Sequence, residues 1–334
     1  MKVTAQIYGQ FLLSSQINYT GTYLADHFEG LTHDNVQYFL KTSRFAPRQI
    51  WQHARHHIQL CPDGYVLFDD SVLNKEYSNK IQLVRRQYSG NAHGIIKGIG
   101  VVNCVYFNPH TNQFWLIDYR VFNPDDDGKT KIDHVVDMLT QLAPRQISYQ
   151  TVLMDSWYAV SELFKWLITN KKTFYCPIKS NRKVDDSGGQ EPYQPVSYLS
   201  WSTTDVQQGK TIKVHKMPKD SVFKLFRVLV SIHRTDYIIT NDLTQQDTAA
   251  AEEKSGIRWT VEQFHREDKQ ITGLECCQCR LGRSQRNHIA LAGLTWLRFK
   301  QLAYEGKKTV YQLKQGLLDL YMRQELAKPS LVFA

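Results

Sequence analysis

Long apolar runs are absent from this sequence, and cysteine is scarce. No stretch approaches 18 uninterrupted apolar residues; segments such as 223–232 are strand-sized and interrupted by Lys224 and Arg227, which excludes a membrane-spanning helix. The stretch from Met1 to Tyr8 lacks a charged segment followed by an apolar one, so we expect no signal peptide and a soluble chain. Six cysteines in 334 residues, without two separate CxxC motifs, favour a reducing cytosol over a disulfide-stabilised fold.

The sequence also lacks a complete motif for binding nucleotides or calcium. Gly94, Gly98 and Gly100 have the wrong spacing for a dinucleotide-binding turn, and they precede a strand pattern instead of a helix. No Walker phosphate-binding loop is present. Residues 123–128 resemble the start of a calcium-binding loop, but the twelfth position of that template is His134 and not Glu. We therefore predict a turn before a helix.

Three clustered cysteines are a candidate for a metal site with nitrogen and sulfur ligands. Cys276, Cys277 and Cys279 lie near His265 and His288 in the sequence, and Zn²⁺ takes four such ligands in tetrahedral geometry. Adjacent cysteines rarely bind one ion, so the pattern favours reduced, partly buried thiols.

Positive charge is what the sequence has in excess. Its 41 Lys and Arg against 32 Asp and Glu give a net charge of +9, and 12% of the residues are aromatic. A basic surface binds polyanions by releasing their counterions, and aromatic side chains stack on exposed bases. Nucleic acid is therefore a candidate partner, although many basic proteins bind no polyanion.

Hydrophobic periodicity divides the chain into segments without internal repeats. Up to about residue 60 the pattern is helical, and two helices, the second opened by Pro47, resemble a helix-turn-helix. From Gly64 the order is βββαβαβ, in which the last four elements are a helix at 131–142, a strand at 151–154, a helix at 157–169 and a strand at 173–178. This order matches the RNase H-like layout, a mixed α/β sheet flanked by helices. We expect a helical DNA-binding domain at 1–60, the first part of the core at 61–178, an all-β insertion at 179–243, the second part of the core at 244–304, and a helical C-terminal region at 305–334.

Two predicted strands end in carboxylates. Phe68 is followed by Asp69 and Asp70, and Met154 by Asp155. Side chains at the carboxyl ends of neighbouring strands meet at the crevice of an open sheet. Clustered acids repel one another unless a cation offsets their charge, as a pair of Mg²⁺ ions does in phosphoryl-transfer sites. On these two motifs alone, structural acids at strand ends or helix caps are the more common interpretation.

A third motif connects these acids with a known family. Arg258, Glu262 and Lys269 share one face of a predicted helix, since they are spaced by four and seven residues. This face resembles the Tyr-Arg-Glu-Lys signature of bacterial insertion-sequence DDE transposases with a β-rich insertion, and the resemblance covers most of residues 60–304. The signature's Tyr is the one departure, because Ser255 stands in its place; whether a DNA hairpin intermediate forms is thereby left open.

The resemblance implies that Asp70, Asp155 and Glu262 form the metal-binding triad. Asp70 is favoured over Asp69 as the first acid because a Ser follows it, as a Thr or Ser does in the family. Asp69 stays the alternative, since adjacent strand residues point to opposite faces. The side chains expected to contact DNA are Arg258, Lys269, Lys75, Arg85, Arg86 and Trp201.

The same resemblance implies an activity and partners. We expect an endonuclease that uses two Mg²⁺ ions, or Mn²⁺ in their place, to cleave at transposon ends and to transfer the freed 3′-OH strand into target DNA. The expected partners are the terminal inverted repeats, the target duplex and a second copy of the chain in a synaptic complex, with no membrane. The expected location is the cytoplasm, on the nucleoid when DNA is bound. The alternatives are a metal-dependent nuclease or resolvase that does not join strands, and an inactive, domesticated DNA-binding relative.

Overall fold

The computed structural model describes residues 2–78, 80–90, 92–218, 220–231 and 234–328. These residues form twelve α-helices and eleven strands, all strands belonging to one sheet. None of the described helices is both long enough and apolar enough to cross a membrane.

Four helices make up the first 60 residues. They are α1 (Ala5–Ser14), α2 (Gly21–Asp26), α3 (His33–Thr42) and α4 (Pro47–Ala54). Thr32 caps α3 by accepting a hydrogen bond from the Asn35 N–H, and Pro47 opens α4, where its missing N–H costs no helical hydrogen bond.

An α/β arrangement follows these four helices. Its elements are β1 (Tyr65–Asn74), β2 (Arg85–Ser89), β3 (Gly94–Asn108), β4 (Gln113–Phe122), α5 (Pro124–Asp127), α6 (Lys131–Leu142), β5 (Thr151–Met154), a 3₁₀ turn at Ser156–Tyr158, α7 (Ser161–Thr169) and β6 (Thr173–Ile178). The order βββαβαβ predicted from the sequence is present with one extra strand, the short β2.

A β-rich segment and four helices complete the described chain. The segment holds β7 (Lys183–Asp185), β8 (Gln194–Pro195), a 3₁₀ turn at Val196–Tyr198, α8 (Thr203–Gln208), β9 (Lys210–Val214), β10 (Phe223–Ser231) and β11 (Arg234–Thr240), and the helices are α9 (Thr248–Gly256), α10 (Trp259–Thr272), α11 (Gly282–Glu305) and α12 (Val310–Ala327). The predicted strand over 223–232 ends one residue beyond β10, and residue 232 lies outside the described residues, as do 329–334 of the predicted C-terminal region.

The sheet is mixed, as predicted. β1 pairs antiparallel with β3 on one side and parallel with β5 on the other, and β5 pairs parallel with β6. β11 pairs antiparallel with β6, so the strands of the β-rich segment continue the same sheet. The prediction that 179–243 is all-β is wrong in one respect, because the helix α8 lies in it. The predicted RNase H-like class, a mixed sheet flanked by helices, is confirmed.

Alternate residues of β1 face two different cores. Leu67 belongs to a core built with α10, α11 and the N-terminal helices, whereas Val66 and Phe68 belong to a core built with α6 and α7. This alternation follows from the pleat of the strand. The same division holds in β5, where Leu153 faces the first core and Met154 the second.

The N-terminal helices share a core with α11. Asn287 of α11 donates its amide hydrogens to the carbonyls of Leu40 and Ser43, at 2.8 and 2.7 Å, and accepts a hydrogen bond from the Phe45 N–H at 2.9 Å. These bonds fix the connection between α3 and α4. The predicted helix pair therefore exists, and it is packed on the α/β core.

Candidate active site

The register of the strands places Asp69 and Asp155 at the same level of the sheet. The parallel pairing of β1 with β5 matches Phe68 with Met154, so Asp69 and Asp155 follow at equivalent positions. Both continue the sheet face of Leu67 and Leu153, and a crevice forms where parallel strands end.

Helix α10 places Glu262 on the same side of the sheet. Glu262 lies in the first turn of this helix, and the neighbouring Val261 and Phe264 pack into the core that Leu67 enters. Asp69, Asp155 and Glu262 consequently line one cleft of about 1330 Å³. The convergence of three carboxylates from residues far apart in sequence is the main feature of this cleft.

The environment of Asp69 opposes its ionisation. Burial, together with the negative charges of Asp70 and Asp155, raises the pKa of this carboxyl to about 8, although Arg258 acts in the opposite direction. Desolvation and like charges both disfavour a second or third negative charge. A cation bound among these acids would favour the ionised form of Asp69.

Asp70 is engaged by side chains from the other core. Its two carboxylate oxygens accept hydrogen bonds from the Lys131 ammonium group at 2.6 Å and from the Tyr158 hydroxyl at 3.0 Å. Asp70 also borders the cleft, but its oxygens are directed to α6 and to the turn after β5. Lys131 is held there, with 11% of its side chain exposed.

Asp155 begins the 3₁₀ turn that follows β5. Its carboxylate accepts a hydrogen bond from the Trp157 N–H and thereby caps the turn. Trp157 lines the cleft with 49% of its surface exposed, and Lys131 lies 5.5 Å from the centre of its ring. The carboxylate and an exposed aromatic face are therefore fixed beside each other.

The predicted helical face is formed. The Arg258 guanidinium lies 2.7 Å from a Glu262 carboxylate oxygen, four residues along the chain. Lys269 lines the cleft, where its ammonium group lies 2.8 Å from the Glu275 carboxylate and 3.5 Å from the Val72 carbonyl. Ser255, which replaces the signature's Tyr, is buried in α9.

Two of the residues predicted to contact DNA, Lys75 and Trp201, do not line the cleft. Lys75 is buried, and its ammonium group donates to the main-chain carbonyls of Glu275 and Cys277; it fastens the segment after α10 and is not directed to solvent. Trp201 is half-buried beside Tyr237, and it does not line the cleft. The burial of these side chains could not be read from the sequence, and their contact with DNA stays a prediction.

The predicted arginines of β2 precede the residues of that strand that line the cleft, Gln87, Tyr88 and Ser89, and do not line it themselves. Arg85 pairs with Asp125 and lies 5.7 Å from the centre of the Phe122 ring, whereas Arg86 is exposed. Of the two, Arg86 has the exposure that a phosphate contact requires.

Three side chains of the cleft region were not among the predicted site residues. Lys131 and Tyr158 hold Asp70, and His265 lines the cleft while its ring accepts a hydrogen bond from the Asn103 amide at 3.0 Å. Burial and the Lys269 charge lower the pKa of His265 to about 3, so this ring is neutral. The i+3 spacing of His265 from Glu262 was the one available signal.

The residues of the zinc-like and calcium-like sequence motifs have structural roles. His288 is buried, and its ring nitrogens lie 2.9 Å from the Tyr8 hydroxyl and 3.1 Å from the Leu274 carbonyl. Its ring therefore does not share a metal site with the clustered cysteines. All six cysteines are free thiols. Residues 124–127 form the short helix α5, which ends at Gly128 in the left-handed conformation. A turn before α6 was predicted.

The family comparison gives the class of this α/β protein, an enzyme that cleaves nucleic acid. A family model, the transposase DDE domain, matches residues 80–298, about two thirds of the chain, and the chain belongs to this family. The match includes Asp155 and Glu262 and begins after Asp69 and Asp70. No curated protein matches the chain.

Membership in this family gives the general activity. The chain is a transposase whose substrate is DNA, and the family typically uses a divalent metal. The Tyr-Arg-Glu-Lys subgroup stays a prediction.

Proposed function

We propose that this transposase cleaves DNA at the ends of its own mobile element and joins the freed 3′-OH to target DNA. One observation carries the proposal: three carboxylates, from β1, from the turn after β5 and from α10, line a cleft whose walls also bear cations. The cations lining the cleft are Lys129, Lys131, Lys179, Arg266 and Lys269.

We propose Asp69, and not Asp70, as the first acid of the triad. The support is threefold: Asp69 is level with Asp155, shares its sheet face, and interacts electrostatically with both Asp155 and Arg258. Asp70 already binds Lys131 and Tyr158. In this account Asp70 positions Lys131 and supports the strand end from the opposite core.

The donors in the cleft fit a hard divalent cation. Carboxylate oxygens are the ligands that Mg²⁺ prefers. The pKa of Asp69 is raised by burial and by the negative charges of Asp70 and Asp155, which a bound cation would offset. Asp69, Asp155 and Glu262 would hold two Mg²⁺ ions, with Mn²⁺ able to replace them. When bound, such ions supply activation of the attacking oxygen and stabilisation of the leaving oxygen.

The other side chains of the cleft orient the acids and bind phosphate. Arg258 fixes Glu262 through its ion pair. Lys269 and Arg266 border the cleft on the side of α10, where they would bind phosphates flanking the scissile bond. A water molecule attacks in the first step and the freed 3′-OH attacks in the second, so the protein forms no covalent intermediate.

The substrates and assembly follow from this chemistry. We propose that the terminal inverted repeats bind along the basic surface that includes Arg86, and that target DNA enters the same cleft. Because two element ends are joined to one target, we propose a homodimer in the synaptic complex. The protein would act in the bacterial cytoplasm, on the nucleoid when DNA is bound.

A strand-transfer assay separates this function from its alternatives. The wild-type chain, incubated with a pre-cleaved end duplex, plasmid target and Mg²⁺, is expected to give joined product, and Glu262→Gln is expected to give none while still binding the duplex. Cleavage of an uncut duplex without joining would indicate a nuclease or resolvase. Binding without either reaction would indicate an inactive relative.

A further inference from the structure

A second cluster of metal-type donors lies where the chain enters β1. Cys61 and Asp63 precede that strand, and His110 lies in the turn between β3 and β4. Within the described part of the chain, these residues place one ligand atom each within 4.8 Å of the others. The cluster is separate from the cleft, because Cys61, Asp63 and His110 do not line it.

The two segments that carry these donors are fastened to each other. The Tyr106 hydroxyl accepts a hydrogen bond from the Cys61 N–H at 2.9 Å and lies 3.5 Å from the Cys61 sulfur. The Asn108 amide donates to the Gln59 carbonyl at 2.7 Å, and its oxygen accepts from the His110 N–H at 2.8 Å. The backbone positions of Cys61 and His110 are thus set by side chains that are not themselves ligands, as in built metal sites.

The side chains can approach one ion without rebuilding the backbone. The His110 ring nitrogen lies 2.9 Å from the Asp63 carboxylate, whereas neighbouring ligand atoms around a tetrahedral zinc ion are about 3.3 to 3.8 Å apart. His110 and Asp63 are 65% and 57% exposed, so both side chains can shift by this amount. Cys61 is buried at 8% exposure and forms the inner side of the cluster.

We propose that Cys61, Asp63 and His110 bind one Zn²⁺ ion, with water as the fourth ligand. A thiolate, an imidazole and a carboxylate form a donor set typical of zinc and unlike the all-oxygen set of a magnesium site. Binding releases the thiol proton to solvent and replaces the hydrogen bond between His110 and Asp63 by two bonds to the ion. The ion would link the segment before β1 to the β3–β4 turn and so stabilise the fold.

Cobalt titration tests this site, because a thiolate bound to Co²⁺ gives a charge-transfer band that carboxylate sites lack. The full chain is expected to show this band, saturating at one equivalent, and Zn²⁺ is expected to abolish it. Cys61→Ser should remove the band. Cys276→Ser is the matched control, since Cys276 is an exposed thiol outside the cluster, and this variant should keep it.

A second variant guards against misfolding of Cys61→Ser. His110→Ala removes an exposed side chain and is expected to fold, to bind Zn²⁺ at least about tenfold more weakly, and to lose the rise in melting temperature that Zn²⁺ gives the wild type. A band that persists in Cys61→Ser, a band absent from the wild type, or an equal zinc-induced rise in His110→Ala would overturn the site. These outcomes are independent of DNA cleavage.

Discussion

Asp69 and Asp70 are neighbours in sequence and yet have different surroundings. The pleat of β1 directs Asp69 toward α10 and Asp155, and directs Asp70 toward Lys131 and Tyr158. A sequence motif locates the pair but does not give the register, because the register depends on which core each strand face enters. This is why the sequence favoured Asp70 and the geometry favours Asp69.

Substituting each acid in turn distinguishes their roles. We expect Asp69→Asn to lower cleavage to background, because it removes a proposed metal ligand. Asp70→Asn should retain cleavage at a level reduced about 10- to 100-fold, as is usual when a supporting residue is lost. Initial cleavage rates at saturating Mg²⁺ measure both effects, with duplex binding as the control. An active Asp69→Asn beside an inactive Asp70→Asn would restore the assignment made from the sequence.

The raised pKa of Asp69 predicts a pH dependence of stability. Its folded-state value of about 8 exceeds the ordinary value of 3.8, so the fold favours the protonated form. The stability associated with that proton is fully present below about pH 4 and is lost as the pH rises through about 8.

The metal-free protein is therefore expected to melt at progressively lower temperature than Asp69→Asn as the pH rises from about 4 to about 8. Added Mg²⁺ should reverse the loss in the wild type alone. Melting curves of both proteins across this range are the measurement, and parallel curves would show that Asp69 ionises normally.

At the scale of elements, a buried ion pair joins α10 to α11. The Lys300 ammonium group lies 3.0 Å from both Glu267 carboxylate oxygens, and the Trp296 ring nitrogen donates to the same carboxylate at 3.1 Å. The Lys300 ammonium also lies 3.9 Å from the centre of the Phe114 ring of β4. Since Glu262 is carried by α10, this pair helps hold the third acid over the sheet.

Removing one partner of this pair should be more harmful than removing both. Lys300→Met leaves Glu267 buried without its counter-charge, and we expect a loss of about 3 to 5 kcal/mol in the free energy of unfolding. The double variant Glu267→Gln/Lys300→Met should recover most of that loss. Urea denaturation measures both; equal losses in the single and double variants would show that the two charges do not interact.

Helices and strands were predictable from the sequence where a single hydrophobic periodicity dominated the segment. The helix at 131–142 and the strands at 151–154 and 173–178 have the bounds that the sequence predicts. The single helix predicted over 157–169 is instead a 3₁₀ turn and α7, because Asp155 caps a separate short turn. Contacts between distant segments, such as Asn287 with Ser43, leave no local pattern and could not be predicted.

For the whole molecule, the effect of the net charge of +9 on DNA binding depends on where the cationic side chains lie. Lys269 and Arg266 line the cleft beside Glu262, whereas Lys75 and Lys300 are buried and bind carbonyl or carboxylate oxygens. The charge predicted a polyanionic partner, and the family confirms DNA. Which cationic side chains can contact DNA depends on their burial, and the composition gives no information about burial.

Salt dependence of DNA binding separates these groups. Lys269→Ala is expected to weaken binding and to reduce by about one the slope of the logarithm of affinity against the logarithm of salt concentration. Lys165→Ala, an exposed lysine of α7 outside the cleft, should leave the slope unchanged. Fluorescence anisotropy over a salt series measures both slopes; an unchanged slope in Lys269→Ala would remove this lysine from the DNA-binding surface.

The most direct measurement is cleavage of a labelled duplex that spans an inverted repeat flanking the gene, with Mg²⁺ or Mn²⁺, for the wild type beside Asp155→Ala. We expect metal-dependent nicking at the repeat boundary by the wild type and none by Asp155→Ala, with equal binding of the duplex by both. Cleavage that persists in Asp155→Ala, or that needs no divalent metal, would contradict the carboxylate site.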